Sequence, residues 1–345
     1  MTINRIPYFN AAGEPYEVGF QIGEHFKHNI HNIFEDLWEY QVHQKRYPQK
    51  KSFIQQMLNL SQKLCPKIVE EIQGLADGSG SEFMDLFVHN CMHMPYWSNC
   101  STSVLKQENA IYIAHNEDAH PVLEKYAYYV VIQPKNLDSI PFFSHCYPGI
   151  VAGMSFGFNL SGLVQTCNSL PDPTRSIGIP RIFVGRSTYE KAKTISDVLN
   201  IIDKLKPRSG GASYTIASLS EMNVINIETT GIDHCILSFK KRFFRANHYL
   251  SEVYRHHPAA SLHTLARQER GNSMINSIRT ADQLLKMMLD KSIRLTMSST
   301  HNECQTNSTL LFEITDNDVV LKRYLGKNQK EFDLINMRYL DSKQD

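Results

Sequence analysis

The 345-residue sequence has no two cysteines in CxxC spacing; its seven cysteines, at positions 65, 91, 100, 146, 167, 235 and 304, are scattered singly. A zinc ribbon or a disulfide framework needs thiols in pairs, so neither is indicated. Fifteen histidines show no HExxH or comparable ligand spacing, and no metal or other cofactor is expected. The GxxxxGK pattern of a phosphate loop is missing too, and Gly78-Ser79-Gly80 reads as a helix stop. No apolar run approaches the roughly 18 residues of a membrane span, and Met1 to Pro7 lacks the apolar stretch of a secretion signal. The expectation is a cytoplasmic protein. With 36 basic and 35 acidic side chains there is no footprint for nucleic acid or an anionic membrane. What is ample is core material, at 42% hydrophobic residues.

Against that background one segment stands out. Cys100 heads Cys100-Ser101-Thr102-Ser103, and after turn-forming residues at Gln107-Glu108-Asn109 the apolar run Ile111 to Ala114 leads into His115-Asn116-Glu117-Asp118. Two antiparallel strands joined there bring the start of the first beside the end of the second, so Cys100 and Asp118 are expected to be neighbours. A thiol attacks well only as thiolate, and most thiol enzymes borrow a histidine to make it. An N-terminal-nucleophile (Ntn) enzyme instead uses the nucleophile's own α-amine, whose pKa of about 7.7 to 8.0 suits proton transfer near neutrality. Such an amine exists only after scission of Asn99-Cys100. The sequence therefore reads as a precursor, with 1–99 one fragment and 100–345 the other.

The patterning changes at about residue 97. Helical spacing is predicted from Tyr16 to about His43 and over about 51 to 64, 66 to 77 and 82 to 94. Strands are predicted at Ala127 to Gln133, Phe142 to Tyr147, Gly162 to Asn168, Tyr214 to Leu219 and Val224 to Glu228. A hairpin over Thr309 to Tyr324 turns at Asp316-Asn317-Asp318, and helices fall at about 181 to 206 and 274 to 290. Strands and helices that cluster without βαβ alternation predict an α+β fold, two antiparallel sheets covered by helices, in which 1–99 and 100–345 form one integrated domain.

Further motifs run in order along the chain: Tyr16-Glu17-Val18-Gly19-Phe20-Gln21-Ile22-Gly23, Glu70 to Gly80, Cys100-Ser101-Thr102, Asn116-x-Asp118, and Pro148-Gly149. After them come Gly157 to Leu163 with Asn168, Ala212-Ser213-Tyr214, Arg245-Ala246-Asn247-His248, Arg267-Gln268-Glu269-Arg270 and Ser308-Thr309-Leu310. Their collinearity resembles the isopenicillin N acyltransferase (acyl-coenzyme A:6-aminopenicillanic acid acyltransferase) family, which includes β-alanyl-dopamine hydrolase and is distantly similar to bile salt hydrolases and acid ceramidases.

The resemblance implies an αββα Ntn-hydrolase sandwich, autocatalytic cleavage of a zymogen at Asn99-Cys100, and Cys100 as nucleophile. It implies an oxyanion-hole role for Asn247, an orienting carboxylate at Asp118, a serine assisting processing or catalysis at Ser213, and Thr102 and Asn116 in support. The substrate implied is a small-molecule linear amide or acyl thioester, acyl-coenzyme A included, with hydrolase and acyltransferase both open. Three positions depart from the pattern: Asn99 stands where glycine is common, His115 where relatives have arginine or glutamine, and Thr306-Asn307 brings no arginine. Penicillin chemistry is accordingly not expected. Two other readings stay open: a thiol hydrolase with His115 or His248 as base, and an unprocessed, non-catalytic relic. Arg267 and Arg270, three apart on a predicted helix, read as a solvated or salt-bridged face.

Overall fold

The computed structural model describes residues 7–91, 100–172, 177–254, 260–295, 304–316, 318–324 and 332–336, and of 38–49 and 332–336 the backbone alone. Asn99, the end of the helix expected to reach residue 94, and Asn317 of the predicted hairpin turn lie outside the described residues.

Strand β1 (Tyr8–Gly13) precedes five helices, α1 (Pro15–His25), α2 (Lys27–Asp36), α3 (Trp38–Leu64), α4 (Pro66–Ser79) and α5 (Phe83–Cys91). Next come β2 (Ser101–Lys106), β3 (Ala110–Ala119), β4 (Tyr128–Pro134), β5 (Phe142–Cys146), β6 (Phe156–Asn159), β7 (Leu163–Leu170) and the two-residue β8 (Ile179–Pro180). Helices α6 (Arg181–Lys191) and α7 (Ile195–Lys204) lead to β9 (Arg208–Ser209), β10 (Gly211–Ser218), β11 (Asn223–Thr229), β12 (His234–Leu237) and β13 (Arg242–Arg245). The chain continues through α8 (Leu262–Ile275), α9 (Ala281–Met288), β14 (Gln305–Thr315), β15 (Asp318–Tyr324) and β16 (Phe332–Asn336).

Three of the expected helices break: the Tyr16 to His43 stretch divides at Phe26 and Leu37, where no side chain caps the new helix, and two others divide at a side-chain cap. Thr194 accepts the amide of Asp197 at 3.1 Å while the Asp197 carboxylate takes the amide of Thr194 at 2.9 Å, a reciprocal box that starts a new helix inside the expected 181–206 span. Thr280 does the same work for α9 by accepting from the Gln283 amide at 3.2 Å.

The strands form an eight-stranded sheet, ordered β1-β4-β5-β6-β7-β10-β11-β12, a six-stranded sheet, ordered β13-β2-β3-β14-β15-β16, and a separate short parallel pair, β8-β9. Within the eight- and six-stranded sheets neighbours pair antiparallel as expected, with a correction at one edge: β1 lies parallel to β4. Parallel pairing needs a long crossover, and the helices between the two strands supply it.

Three apolar clusters define the layers. Helices α1 to α7 share one with the outer face of the large sheet, through residues such as Ile22, Ile72, Tyr128, Phe142 and Tyr214. Val104, Ile113, Phe312 and Leu321 of the small sheet meet Val131, Phe143, Phe158 and Val164 of the large one. On its other face the small sheet sends Leu105, Ala114, Phe244 and Leu311 against Leu284, Met287 and Met288 of α9 and Ile275 of α8. The order helix, sheet, sheet, helix is the αββα sandwich.

The glycine-rich motifs near the N-terminus make the first layer possible. A Cβ on Gly19 would come within 1.9 Å of the Glu71 carbonyl oxygen, and one on Gly74 within 2.0 Å of that of Tyr16. Gly23 and Gly78 repeat the pattern one turn on, so α1 and α4 cross backbone against backbone. Gly80 ends α4 in the left-handed region at φ 69°, the helix stop read from the sequence.

Candidate active site

Strand alternation decides which residues meet. In the β2/β3 hairpin Thr102 pairs with His115 and Val104 with Ile113, so Cys100 comes opposite Glu117 with both side chains between the sheets. Along β7 the same inward face changes from Val164 to Thr166 and Asn168. The interior between the sheets is thus apolar at one end and polar at the other, and Cys100 sits in the polar end.

The thiol donates to Glu117 Oε2 at 3.7 Å and is almost completely buried. Its carbonyl oxygen accepts from Asn168 Nδ2 at 2.9 Å and from an Arg267 amino group at 3.2 Å. Burial holds the thiol well above its ordinary pKa, and the carboxylates of Glu117 and Asp118 add to this; the Asp118 backbone amide, donating to sulfur, works the other way. In the intact chain Cys100 is a protonated, quiet thiol.

Glu117 gathers donors. Ser155 Oγ donates to Oε2, Tyr147 OH donates to Oε1 at 3.3 Å, and His115 Nε2 lies 3.4 Å from Oε2. Burial alone would raise this carboxylate, but its neighbours, His115 and Ser155 among them, outweigh it and hold Glu117 below the usual range. His145, stacked on Phe156 at 4.7 Å, is pushed down to about 3 by burial and stays neutral.

Asp118 points the opposite way, toward the outer helices. Thr306 Oγ1 donates to its Oδ1 at 2.6 Å, and Arg267 lies 3.7 Å from Oδ2. Burial, opposed by Arg267 and Thr306, pushes Asp118 up to about 7. Asp118 therefore neighbours Cys100 through its backbone amide, while its carboxylate reaches the Cys100 carbonyl only by way of Arg267. Asn116 shares that outward face, donating to Met288 O at 2.9 Å and accepting from Thr309 Oγ1 at 2.9 Å.

Arg267 is where the sequence reading needs correction. Instead of lying on a solvated face it is 1% exposed on α8, and its guanidinium donates to Cys100 O, Ser101 Oγ and Asn247 Oδ1, the last two at 2.9 and 2.8 Å. One turn further on, Arg270 does lie on the surface, paired with Asp290 at 2.6 Å. A tertiary cavity that supplies a buried carboxylate and two carbonyl-type oxygens overrides the default for a charged helix residue.

Asn247 follows β13 and donates Nδ2 to Ser169 O at 3.0 Å while its backbone amide donates to Thr264 Oγ1 at 2.8 Å. Ser213 pairs in register with Asn168 and is held by Arg245 and by Asn226, whose Nδ2 donates to it at 2.9 Å; Arg245 in turn faces Glu228 at 3.2 Å. Thr102 lies between His115 Nδ1 at 2.8 Å and Asn168 Oδ1 at 2.6 Å. Cys100, Thr102 and, through Arg267, Asp118 and Asn247 thus form one connected group. Ser213 joins it by way of Asn168 in the sheet register, and Asn116 faces the helices. His248 bonds Thr264 at 3.2 Å through Nδ1. Glu117, Asn168 and Arg267 were given no role by the sequence reading; for Glu117 the signal was present, since the hairpin register places it opposite Cys100.

The profile of the acyl-coenzyme A:6-aminopenicillanic acid acyl-transferase family matches residues 105–330, well over half of the chain. The chain belongs to that family. The matched stretch of this family member begins at Leu105, just after Cys100, and includes Asp118, Ser213 and Asn247. Among curated proteins it is similar to the β-alanyl-dopamine/carcinine hydrolase of Drosophila melanogaster, with 29% identity over 206 residues. That alignment covers 53% of each protein, so the chain spans about half the length of this relative. Among solved structures it is similar to penicillin V acylase from Agrobacterium tumefaciens, with TM-score 0.46 and 9% identity over 69% of this chain and 86% of that one.

Proposed function

We propose that this family member is a cysteine Ntn amidohydrolase or acyltransferase that activates itself by scission at Asn99-Cys100. The observation that carries the reading is the placement of Cys100: its thiol meets an ionised carboxylate and its carbonyl oxygen is gripped by Asn168 and Arg267. Before scission there is no α-amine, and Glu117 takes the thiol proton as sulfur attacks the Asn99 carbonyl carbon. The peptide C–N bond breaks, the proton passes to the departing Cys100 nitrogen, and water cleaves the resulting thioester to leave an Asn99 carboxylate.

In turnover the freed α-amine accepts the thiol proton and sulfur attacks the substrate carbonyl. Asn247 and a backbone N–H stabilise the oxyanion, the amine protonates the leaving group, and water or an acceptor amine discharges the acyl-thioester. Asp118 acts through Arg267 on the nucleophile's backbone, and Ser213 braces Asn168 through the sheet. The first substrates to try are small linear amides of the kind named for the fly relative, β-alanyl-dopamine and carcinine, with acyl thioesters beside them.

A second reading, His115 as the base, has its own support, since a ring nitrogen of His115 lies within 4.8 Å of Sγ. Brief exposure to each substrate followed by acid quench and peptide mass spectrometry tests the proposal. It expects an acyl mass gain on the peptide beginning at Cys100, absent in Cys100→Ala. No acyl adduct with any amide or thioester would contradict it, and an adduct formed on an uncleaved chain and lost in His115→Gln would favour His115.

A further inference from the structure

Donors and acceptors around Cys100 leave two lone pairs facing each other beside the thiol, and a third once the thiol loses its proton. Asn168 Nδ2 donates to Cys100 O, which fixes Oδ1 toward Thr102, and the 2.6 Å contact there uses the one proton of the Thr102 hydroxyl. Thr102 Oγ1 must then accept from His115 Nδ1 at 2.8 Å, so the ring carries its proton on Nδ1. With the ring neutral, that leaves Nε2 facing Glu117 Oε2 at 3.4 Å, two acceptors with no hydrogen between them, and the hold of His115 on Glu117 then needs a proton added at Nε2. The thiolate form of Cys100, 3.7 Å from the same oxygen, adds a third. Only a cation, or a proton added to Nε2, makes this arrangement favourable.

The geometry points to a metal site: we infer that Cys100 Sγ, His115 Nε2 and Glu117 Oε2 bind one Zn²⁺-class divalent cation, which masks the nucleophile. Zinc bonds of about 2.3 Å to sulfur and about 2.1 Å to nitrogen and oxygen, at tetrahedral angles, require separations of about 3.6 Å for S···O and about 3.4 Å for N···O. The observed values are 3.7 and 3.4 Å; the third separation, S···N, needs about 3.6 Å and stands within 4.8 Å. Among the described residues no other three His, Cys, Asp or Glu side chains come together in this way.

The surrounding shell has the form such sites take, in which the far nitrogen of a ligating histidine and the spare oxygens of a ligating carboxylate are themselves hydrogen-bonded. Thr102 holds His115 Nδ1 and Tyr147 holds the spare Glu117 Oε1, while Ser155 donates to the ligating oxygen Oε2 itself. Imidazole, carboxylate and thiolate together suit zinc over magnesium or calcium, which prefer oxygen alone. On binding, the thiol loses its proton to solvent and sulfur takes the metal, so the lone pair that attacks a carbonyl is occupied. The site needs only these three side chains, and does not depend on the chain being a hydrolase.

Titration of the full reduced chain with Co²⁺ under argon tests this. The expected result is a sulfur-to-cobalt charge-transfer band that saturates at one metal per chain, is displaced by Zn²⁺, is lost in Cys100→Ser, and needs at least tenfold more Co²⁺ in Glu117→Gln. Circular dichroism reports whether each variant folds; if Cys100→Ser does not, the Glu117→Gln titration carries the assignment. No charge-transfer band in the wild-type chain would overturn the inference and leave a proton on Nε2 as the occupant. A band that persists unchanged in the variants would overturn it as well, by placing the metal on other cysteines.

Discussion

Arg267 donates to the carbonyl oxygen of Cys100 at 3.2 Å, across 167 positions of sequence. The nucleophile's backbone is thereby tied to α8, and through the same guanidinium to Asp118 and Asn247. Removing one partner of a buried pair strands the other's charge, at a cost of about 3–5 kcal/mol. Arg267→Met is therefore expected to lose stability of that order in urea unfolding, and Asp118→Asn in the same chain to restore a large part of it. A loss below about 1 kcal/mol, the worth of an exposed pair, would contradict this arrangement.

The Asp118 carboxyl gives a pH dependence of definite sign. Its folded-state pKa of about 7 lies above the ordinary 3.8, so between those values the folded chain holds a proton the unfolded chain has released. Stability from this group is full below 3.8, falls as pH rises to about 7 and is flat above, at up to about 4 kcal/mol given about 1.4 kcal/mol per unit. In a Cys100→Ala background, which keeps both chains in one covalent form, Asp118→Asn should gain melting temperature relative to its parent from pH 4 to 7 and hold level beyond. A pH-independent difference would show that Asp118 is ionised throughout.

Asn247 is given the oxyanion. Asn247→Ala should lower kcat for an amide substrate by about 10² to 10³, the usual worth of one such donor, with a smaller effect on KM. Steady-state rates on the processed chain check this, and a change confined to KM would move Asn247 to substrate binding.

Far from the site, the α1/α4 crossing makes a separate claim. Gly74→Ala places a methyl where the Tyr16 carbonyl oxygen stands 2.0 Å away, so the helices must part, at a cost of about 1–3 kcal/mol typical of overpacking. Thermal unfolding should show the loss, and the rate per folded molecule should be unchanged.

Local patterning carried much of the fold. The Ile111 to Ala114 run, the turn residues at 107–109 and the alternation of β10 and β11 each specify a strand without help from elsewhere. β1 was not legible because its six residues pair in parallel with β4, more than a hundred positions away, and nothing local announces that. The α6/α7 break was carried by Thr194 and Asp197, three apart, a capping box overlooked inside an apolar-periodic stretch. At the site, Cys100 stood out by its setting. Glu117 was hidden by its neighbour: Asp118 carried the motif, yet strand alternation turns Asp118 away and Glu117 toward the thiol. Arg267 was misread because its burial is a property of α8 packing on the small sheet, which helical spacing does not encode.

The central claim is that Cys100 becomes an N-terminal nucleophile, and denaturing mass spectrometry of the purified wild-type chain beside Cys100→Ala tests it most directly. The account predicts fragments of 99 and 246 residues (345 − 99 = 246) from the wild type and an intact chain from the variant. A wild-type chain that stays whole would contradict it, and would leave an uncleaved His115-assisted hydrolase or a non-catalytic member of the family as the readings to pursue.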